Sequence, residues 1–256
     1  MAGWAKELEV AVEAVRSAGA LTLEYFQDAA LAVELKADRT PVTAADRGAE
    51  QRIREILTRA FPHDGILGEE QGEQTGTSGR RWIVDPIDGT QSFVRGVPLY
   101  GVLIGLEVEG ECVVGAMGLP ALSTTLWAAR GEGAWRDGAR LRVASTRALA
   151  DATLLSSDIH PDHLGKHHAG FQRLLAACGR YRGWGDCYGY ALVAMGRAEI
   201  MIDPILAPWD CAAVLPILEE AGGVFVDWQG HRTAHGGNGI GTTPALLDQV
   251  RRLLGA

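Results

Sequence analysis

The sequence predicts a layered α/β (α+β) chain, and three patterns carry that expectation. Two amphipathic helical segments open the chain, short β-branched segments separated by Gly turns fill its middle, and helices alternate with strands from about residue 150 onward. The 256 residues are 47% hydrophobic and 22% charged, enough apolar surface for one large core or two closely packed halves.

Residues 4–26 place Trp4, Leu8, Val12, Val15, Gly19 and Phe26 on a helical period, with Glu7, Glu9, Glu13 and Arg16 between them. TPVTAADRGAEQRIREILTRAFP reads as a second helix, capped near Thr43, with Ile53, Ile56, Leu57 and Phe61 inward and its end before Pro62. DGILGEE is a short strand ending in two glutamates, and QGEQTGTSGR a polar Gly-rich loop. YGVLIGLEVEG, ECVVGAMGLP, TTLWAARGEGAW and ARLRVAS are bounded by turns such as Glu109-Gly110 and Asp137-Gly138, which predicts an antiparallel meander. Farther on, ATLLSSD reads as a strand, HAGFQRLLAACG as a helix, and CYGYALVAMGRAEI as a helix running into the strand IMIDP. WDCAAVLPILEEAGG reads as one helix with an interior Pro216 and a Gly222-Gly223 stop, followed by the strand VFVDW. The expected division is an α+β subdomain over residues 1–145 and an α/β subdomain over 146–256.

The net charge of -8 and a pI near 5.4 argue against an electrostatic grip on nucleic acid or an anionic membrane. No apolar run has the length of a membrane span, and MAGWAKELEVAVEAV carries glutamates where a secretory signal is apolar, so a cytoplasmic protein is expected. Cys112, Cys178, Cys187 and Cys211 lie far apart without a CxxC pair, which predicts buried reduced thiols. His160, His163, His167 and His168 in HPDHLGKHH read as a surface loop rather than a transition-metal site. HGGNGIG, residues 235–241, lacks the lysine of a P-loop and reads as a turn. Trp127 and Trp135 read as core or interface residues, and Arg80-Arg81 is too short a basic patch to carry a function.

The chemistry concentrates in WIVDPIDGTQSF, residues 82–93. A buried-looking strand runs into Asp85, and Pro86 keeps that residue extended before the chain turns. Asp85 and Asp88 can then converge around one bend, while Gly89 lets backbone approach a ligand. A helix starting near Gly89-Thr90 would present free N–H groups to an anion. Paired carboxylates beside an anion site suit a divalent metal with a phosphate, as Mg²⁺ is bound. A lone DxxD is more often an Asx turn with an N-cap; the strand-led, aromatic-followed DPIDGT string is more specific. Glu69-Glu70, alone, would be a solvated strand edge, and Asp210 in PWDCAA, alone, an N-cap.

GEE, then WIVDPIDGTxxF, then WDxAA and an EEAGG helix end run in that order over nearly the whole chain, together with the N-terminal helix and VTAAD. The combination resembles the inositol-monophosphatase-type family of Mg²⁺-dependent, lithium-sensitive phosphatases. The resemblance implies a layered α-β-α-β-α sandwich of the sugar-phosphatase type, with two tightly packed subdomains. It implies that Glu69, Asp85, the Ile87 carbonyl, Asp88 and Asp210 hold two or three Mg²⁺ ions. Asp46 and Thr90 would orient the attacking water, which Glu69 would help deprotonate, and Gly89 and Thr90 would face the phosphate. Hydrolysis of a small phosphate monoester by metal-activated water needs no protein nucleophile, and the sequence has neither a GxSxG elbow nor a Cys-His arrangement.

GWGDCYGYALVAMGRAEIMIDP and DGTQSFVRGVPLYGVLIGL resemble the histidinol-phosphatase branch, which implies L-histidinol phosphate as substrate and a place in histidine biosynthesis. Asp203, seven residues before Asp210, stands where family members place an acidic substrate contact, and Asp186 in GDCY is the second candidate. Strand-end or loop polarity is the plain alternative for both. Inositol 1-phosphate is the alternative substrate, and a regulatory binding protein on the same fold the reading from another class. Family members are commonly homodimers.

Overall fold

The computed structural model describes residues 3–36 and 40–255. The first segment forms helix α1 (Ala5–Tyr25), whose Ala11, Ala14, Val15 and Ala18 are fully buried. A two-stranded antiparallel ribbon, β1 (Val33–Leu35) with β2 (Pro41–Thr43), leads into α2 (Ala44–Ala60). Thr43 caps α2 as expected, its hydroxyl accepting from the Ala45 N–H at 3.1 Å, and Asp46 reaches back to the Thr43 N–H at 2.7 Å.

The meander follows as β3 (Gly65–Gly68), β4 (Gly72–Gln74), β5 (Arg80–Asp88), the single-turn α3 (Thr90–Phe93), β6 (Gly101–Val108), β7 (Glu111–Leu119), β8 (Thr124–Ala129), β9 (Gly133–Arg136) and β10 (Ala139–Arg140). These strands make one eight-stranded sheet, order β10-β9-β8-β7-β6-β5-β3-β4, antiparallel except where β3 runs beside β5. The second half supplies β11 (Thr153–Leu155), α4 (Pro161–Leu164), α5 (His168–Ala177), β12 (Arg180–Arg182), α6 (Asp186–Ala194), β13 (Ile200–Asp203), α7 (Pro208–Cys211), α8 (Val214–Glu220), β14 (Val224–Val226), β15 (Gly239–Thr242) and α9 (Leu247–Leu254). Its strands form a five-stranded mixed sheet, order β12-β11-β13-β15-β14.

Alternation along the strands sets the layers. On β5, Trp82 and Val84 pack with α1 and α2, while Ile83 points to the opposite face, toward α6 and α8. The five-stranded sheet splits likewise: Met201 and Phe225 face α6 and α8, and Leu154, Ile200 and Ile202 face α5 and α9. The result is the expected α-β-α-β-α sandwich. No helix among the described residues is long and apolar enough to cross a membrane. All four cysteines are free thiols, with Cys178 the least buried.

Four local expectations are corrected. The segment WDCAAVLPILEEAGG is two helices, because Pro216 has no N–H for the Ala212 carbonyl and its ring displaces that turn, breaking the helix between Cys211 and Val214. HPDHLGKHH is helical rather than loop: His160 caps α4, and His167 is buried edge-on against Trp228. QGEQ contains β4, and the end of HGGNGIG is the inner strand β15. A Cβ on Gly239 would lie 2.8 Å from Phe225, and one on Gly241 2.8 Å from Tyr190, so these glycines mark close packing rather than a turn.

The middle helices press onto the eight-stranded sheet through two other glycines. A Cβ on Gly105 would lie 2.5 Å from the Ala212 backbone, and one on Gly115 2.3 Å from the Ala213 carbonyl. This contact sets the depth of the α7–α8 junction, directly after Asp210. Gly115→Ala is expected to destabilise the fold by about 1–3 kcal/mol through overpacking. Urea unfolding measures this, and an unchanged midpoint would show that the junction has room to yield.

Candidate active site

Asp85 and Asp88 are three residues apart in a strand, where a period of two would send them to opposite faces. The pairing shows how this is avoided. Asp85 stands opposite Leu103 and Asp88 opposite Gly101, so three steps on β5 match two on β6. That extra residue is a β-bulge at Pro86-Ile87, where Pro lacks the ladder N–H. The bulge turns both carboxylates toward the middle helices and sends Ile87 into a separate cluster with Ala45, Phe93 and Tyr100. Asp85 accepts the Ile87 N–H at 3.0 Å, which holds the bulge closed.

Asp210 arrives from α7. Its carboxylate accepts the Ala207 N–H at 2.7 Å from the third helical position, reaching back to the cap instead of standing at it. One ligand oxygen from each of Asp85, Asp88 and Asp210 lies within 4.8 Å of the others. The cluster is oxygen-only, the donor set of a hard divalent cation. Of the potential ligand groups among the described residues, these three form the one such cluster, and the four histidines of HPDHLGKHH do not contribute to it.

Electrostatics follow from that crowding. Burial pushes Asp85 well above the ordinary carboxylate range, and Glu69, Asp88 and Asp210 push it further. Asp88 is raised by burial and by Asp186 and Asp210. Asp210 is pushed up to about 7 by burial, with Glu69 and Asp203 adding to it.

Glu69 stands at the edge of the cluster, just past β3. The Lys36 ammonium donates to Glu69 at 2.7 Å and to Glu70. Burial still leaves both glutamates raised, against the pull of Lys36. The turn that presents them is clamped from α2: Glu50, fully buried, accepts the N–H of Glu70 at 2.7 Å and of Gln71 at 3.1 Å while pairing with Arg54 at 2.8 Å. A Cβ on Gly68 would lie 2.2 Å from that Glu50 carboxylate, which explains the glycine of GEE. Glu50 and Lys36 were absent from the sequence-derived set. On its own, Glu50 with Arg54 reads as an ordinary i,i+4 surface pair.

Asp46 has one oxygen taken up by the Thr43 N–H and hydroxyl, at 2.7 and 2.6 Å; the other is buried without a protein partner. Its pKa is raised by burial, with a contribution from Glu69. The Thr90 hydroxyl donates to the Ile87 carbonyl at 3.0 Å. Gly89 precedes α3 with φ +80, a left-handed conformation that Gly adopts without strain.

The predicted substrate residues meet the cluster at one place. Asp186 and Asp203 line the same cavity of about 80 Å³ as Asp88 and Asp210, with Ser157, Cys187, Tyr190, Ile205 and Leu206 forming the rest of its wall. Ser157 organises it: its N–H donates to Asp203 at 3.0 Å, and its hydroxyl accepts the Asp186 N–H at 2.6 Å. A Cβ on Gly185 would lie 2.4 Å from the Ser157 Cα, and Asp186 itself has φ +53, so GDCY is a strained, close-fitting turn. The next amide, Cys187, donates to the Asp88 carboxylate. The second oxygen of Asp203 and the Tyr190 hydroxyl are both buried and close enough to interact with each other, short of a well-formed hydrogen bond. Burial pushes Asp203 up to about 6. Ser157 and Tyr190 carried no sequence signal, since they lie within segments that read only as a strand, ATLLSSD, and a helix, CYGYALVAMGRAEI.

An oxygen-only carboxylate cluster at a strand-to-helix turn, within a five-layer sandwich, is a donor set for a hard divalent cation, as metal-dependent phosphatases require. The chain belongs to the inositol monophosphatase family, whose profile matches residues 4–253. It is therefore a phosphomonoesterase. One similar solved structure, an IMPase/NADP phosphatase at 26% identity and a TM-score of 0.78, covering 89% of this chain and 87% of that one, is complexed with Mg²⁺ and phosphate. The chain is 47% identical to a histidinol-phosphatase of Chlorobaculum parvum, covering 91% of this chain and 90% of that one. It is 41% identical to a histidinol-phosphatase of Mycobacterium tuberculosis over 98% of each chain. An inositol-1-monophosphatase of Rhizobium meliloti is 39% identical, over 87% of this chain and 86% of the other. Among solved structures, the suhB extragenic suppressor protein of Bartonella henselae superposes with a TM-score of 0.91 at 32% identity, covering 96% of this chain and 97% of that one.

The raised carboxylates set a pH dependence in metal-free protein. Asp210 loses its proton near 3.8 when unfolded and near 7 when folded. As pH rises through that window the unfolded chain ionises first, so this carboxyl's contribution to stability is lost until it levels off above the folded value. Between about pH 4 and about pH 7, wild type should lose stability relative to Asp210→Asn, and Mg²⁺ should reverse the loss by binding the ionised form. Urea melts with EDTA or Mg²⁺ measure this; a pH-independent difference between the two proteins would contradict it.

Proposed function

We propose that the chain hydrolyses L-histidinol phosphate to L-histidinol and phosphate with Mg²⁺, as a step of histidine biosynthesis. One observation carries the substrate: Asp186 and Asp203 open onto the same small cavity as the metal cluster. A cavity walled by carboxylates suits a ligand that is cationic at the end away from its phosphate. Histidinol phosphate carries an ammonium and an imidazole. The second oxygen of Asp203, which faces the Tyr190 hydroxyl without a well-formed hydrogen bond, can accept from such a donor.

In this reading Glu69, Asp85, the Ile87 carbonyl, Asp88 and Asp210 hold two or three Mg²⁺ ions. Bound there, the ions would supply an activated water and a counter-charge for phosphate and leaving oxygen. The free oxygen of Asp46 would accept from such a water, and the Thr90 hydroxyl, which donates to the Ile87 carbonyl in this structure, would fix its direction. Glu69 would take a proton from that water, and the turn at Gly89-Thr90 would face the phosphate. The two halves, residues 1–145 and 146–256, divide the work. The first carries the water-orienting groups and all the proposed ligands except Asp210; the second brings Asp210, Asp186 and Asp203.

Inositol 1-phosphate is the second reading, since Asp203 can accept from hydroxyls as well as from an ammonium. Phosphate release from a panel of histidinol, inositol, fructose and adenosine phosphates separates the two, and a wild-type preference for inositol phosphate would overturn the histidinol assignment. Asp186→Asn and Asp203→Asn should each lower the histidinol-to-inositol ratio of kcat/KM by about 1–3 kcal/mol in transition-state terms, because the substrate cation loses its charged partner. Equal losses on both substrates would assign these aspartates to the scaffold. Thr90→Ala should lower kcat far more than it raises KM, since its role is orientation in the transition state. The reverse pattern would make Thr90 a binding residue.

A further inference from the structure

We propose that the cleft between the β9–β10 hairpin and the end of α6 is a second, anion-binding site, built for a ligand that carries a chain of phosphate groups. Arg136, Arg140, Arg142 and Arg197 line one cleft of about 270 Å³. In a chain with 32 acidic and 24 basic residues, Arg47 pairs with Glu34, Arg54 with Glu50 and Arg232 with Glu219. None of the four arginines of the cleft has a carboxylate partner among the described residues. The Arg136 guanidinium donates to the Met195 sulfur at 3.3 Å, a weak acceptor that does not answer its charge. Arg140 lies over the Trp135 ring at 5.3 Å. The side chains of Arg142 and Arg197 have no hydrogen-bond or ion-pair partner among the described residues.

The nearby carboxylates are committed elsewhere. Asp137 accepts the Thr125 N–H at 3.2 Å. Glu199 accepts the Thr146 hydroxyl at 3.0 Å and the Thr153 N–H at 2.7 Å. Glu220 accepts the N–H groups of Gly131 and Gly133, each at 2.7 Å. None of the three lines the cleft.

The backbone brings the arginines together. Gly196, with φ +66, ends α6 so closely against the next segment that a Cβ would lie 2.7 Å from the Arg142 carbonyl, which sets Arg197 beside Arg142. The same turn covers the carbonyls at the end of α6: Gly196 donates to Val193, and Arg197 and Ala198 donate to Leu192. The negative end of the helix is therefore masked from an anion in the cleft. Planar guanidinium forks match phosphate oxygens two at a time. Four forks around one cleft exceed what a single phosphate can engage and suit a di- or triphosphate chain, free or as the phosphate end of a nucleotide. α6 joins this cleft to the active site, with Asp186 at its start and Met195 just past its end, a span of about 13 Å at the helical rise.

Titration calorimetry on the full-length protein in excess Mg²⁺, with tripolyphosphate, ATP and adenosine, tests the site. Tripolyphosphate and ATP should both bind and adenosine should not. Equal affinities would assign recognition to the phosphate chain, and tighter ATP binding would place the nucleoside in the cleft as well. Arg142→Gln/Arg197→Gln should weaken this binding at least about tenfold while leaving phosphatase turnover unchanged. Arg197→Glu alone should weaken it more than Arg197→Gln. Asp210→Asn, which disables the metal cluster, should keep it. Unchanged affinity in the arginine variants, or complete loss in Asp210→Asn, would overturn the proposal by placing the binding elsewhere or in the active site.

Discussion

Buried like charge is the constraint on which this structure depends. Asp85, Asp88 and Asp210 converge within 4.8 Å, with Glu69 beside them; burial raises all four pKa values, and repulsion from nearby carboxylates, Glu70 in the case of Glu69, adds to it. A polypeptide left to minimise its own energy would separate them. Here each is held by something other than its neighbours: the bulge and the Ile87 amide for Asp85, the Cys187 amide for Asp88, the Ala207 amide for Asp210, and Lys36 for Glu69. Amides of fixed geometry hold the carboxyl groups in place without supplying a counter-charge. A divalent cation can therefore displace their protons, relieve the repulsion and bring the counter-charge that a phosphate ester needs.

The scaffold serves that convergence. Gly105 and Gly115 let the α7–α8 junction sink onto the sheet, which brings Asp210 to the level of Asp85. Gly68 makes room for Glu50, and Glu50 holds the Glu69-Glu70 turn by two amides. Gly185 makes room for Ser157, which bonds Asp186 and Asp203 at once. In each case a missing Cβ permits one backbone approach, and that approach fixes a carboxylate. The cavity lined by Asp186 and Asp203 is thus tied to the carboxylate cluster through the first turn of α6, whose amides reach both Ser157 and Asp88.

Much of this was legible in the sequence because it is local. The helical periods of α1 and α2, the cap at Thr43 and the turn-punctuated meander depend on neighbours within a few residues, and the five layers follow from them. The aspartates of DPIDGT were readable as a converging pair, although the means is a bulge within a continuing strand rather than a bend that ends it. Long-range partners were not legible. Glu50, Lys36 and Ser157 act across separations of many residues, so their roles appear only once α2, β3, β11 and α6 are placed. Pro216 was noted, yet its helix was expected to run through; the break depends on the Ala212 carbonyl it would displace. Gly239 and Gly241 read as a turn because glycine is rare in strands, and only the Phe225 and Tyr190 rings packed over them give the reason.

The central claim is that these carboxylates hold protons in the metal-free protein that a divalent cation displaces. Calorimetric titration of Mg²⁺ near neutral pH, repeated in buffers of different ionisation enthalpy, counts those protons directly. The account predicts net proton release on binding, reduced in Asp210→Asn. Mg²⁺ binding with no proton release, or with the same release after that substitution, would contradict it.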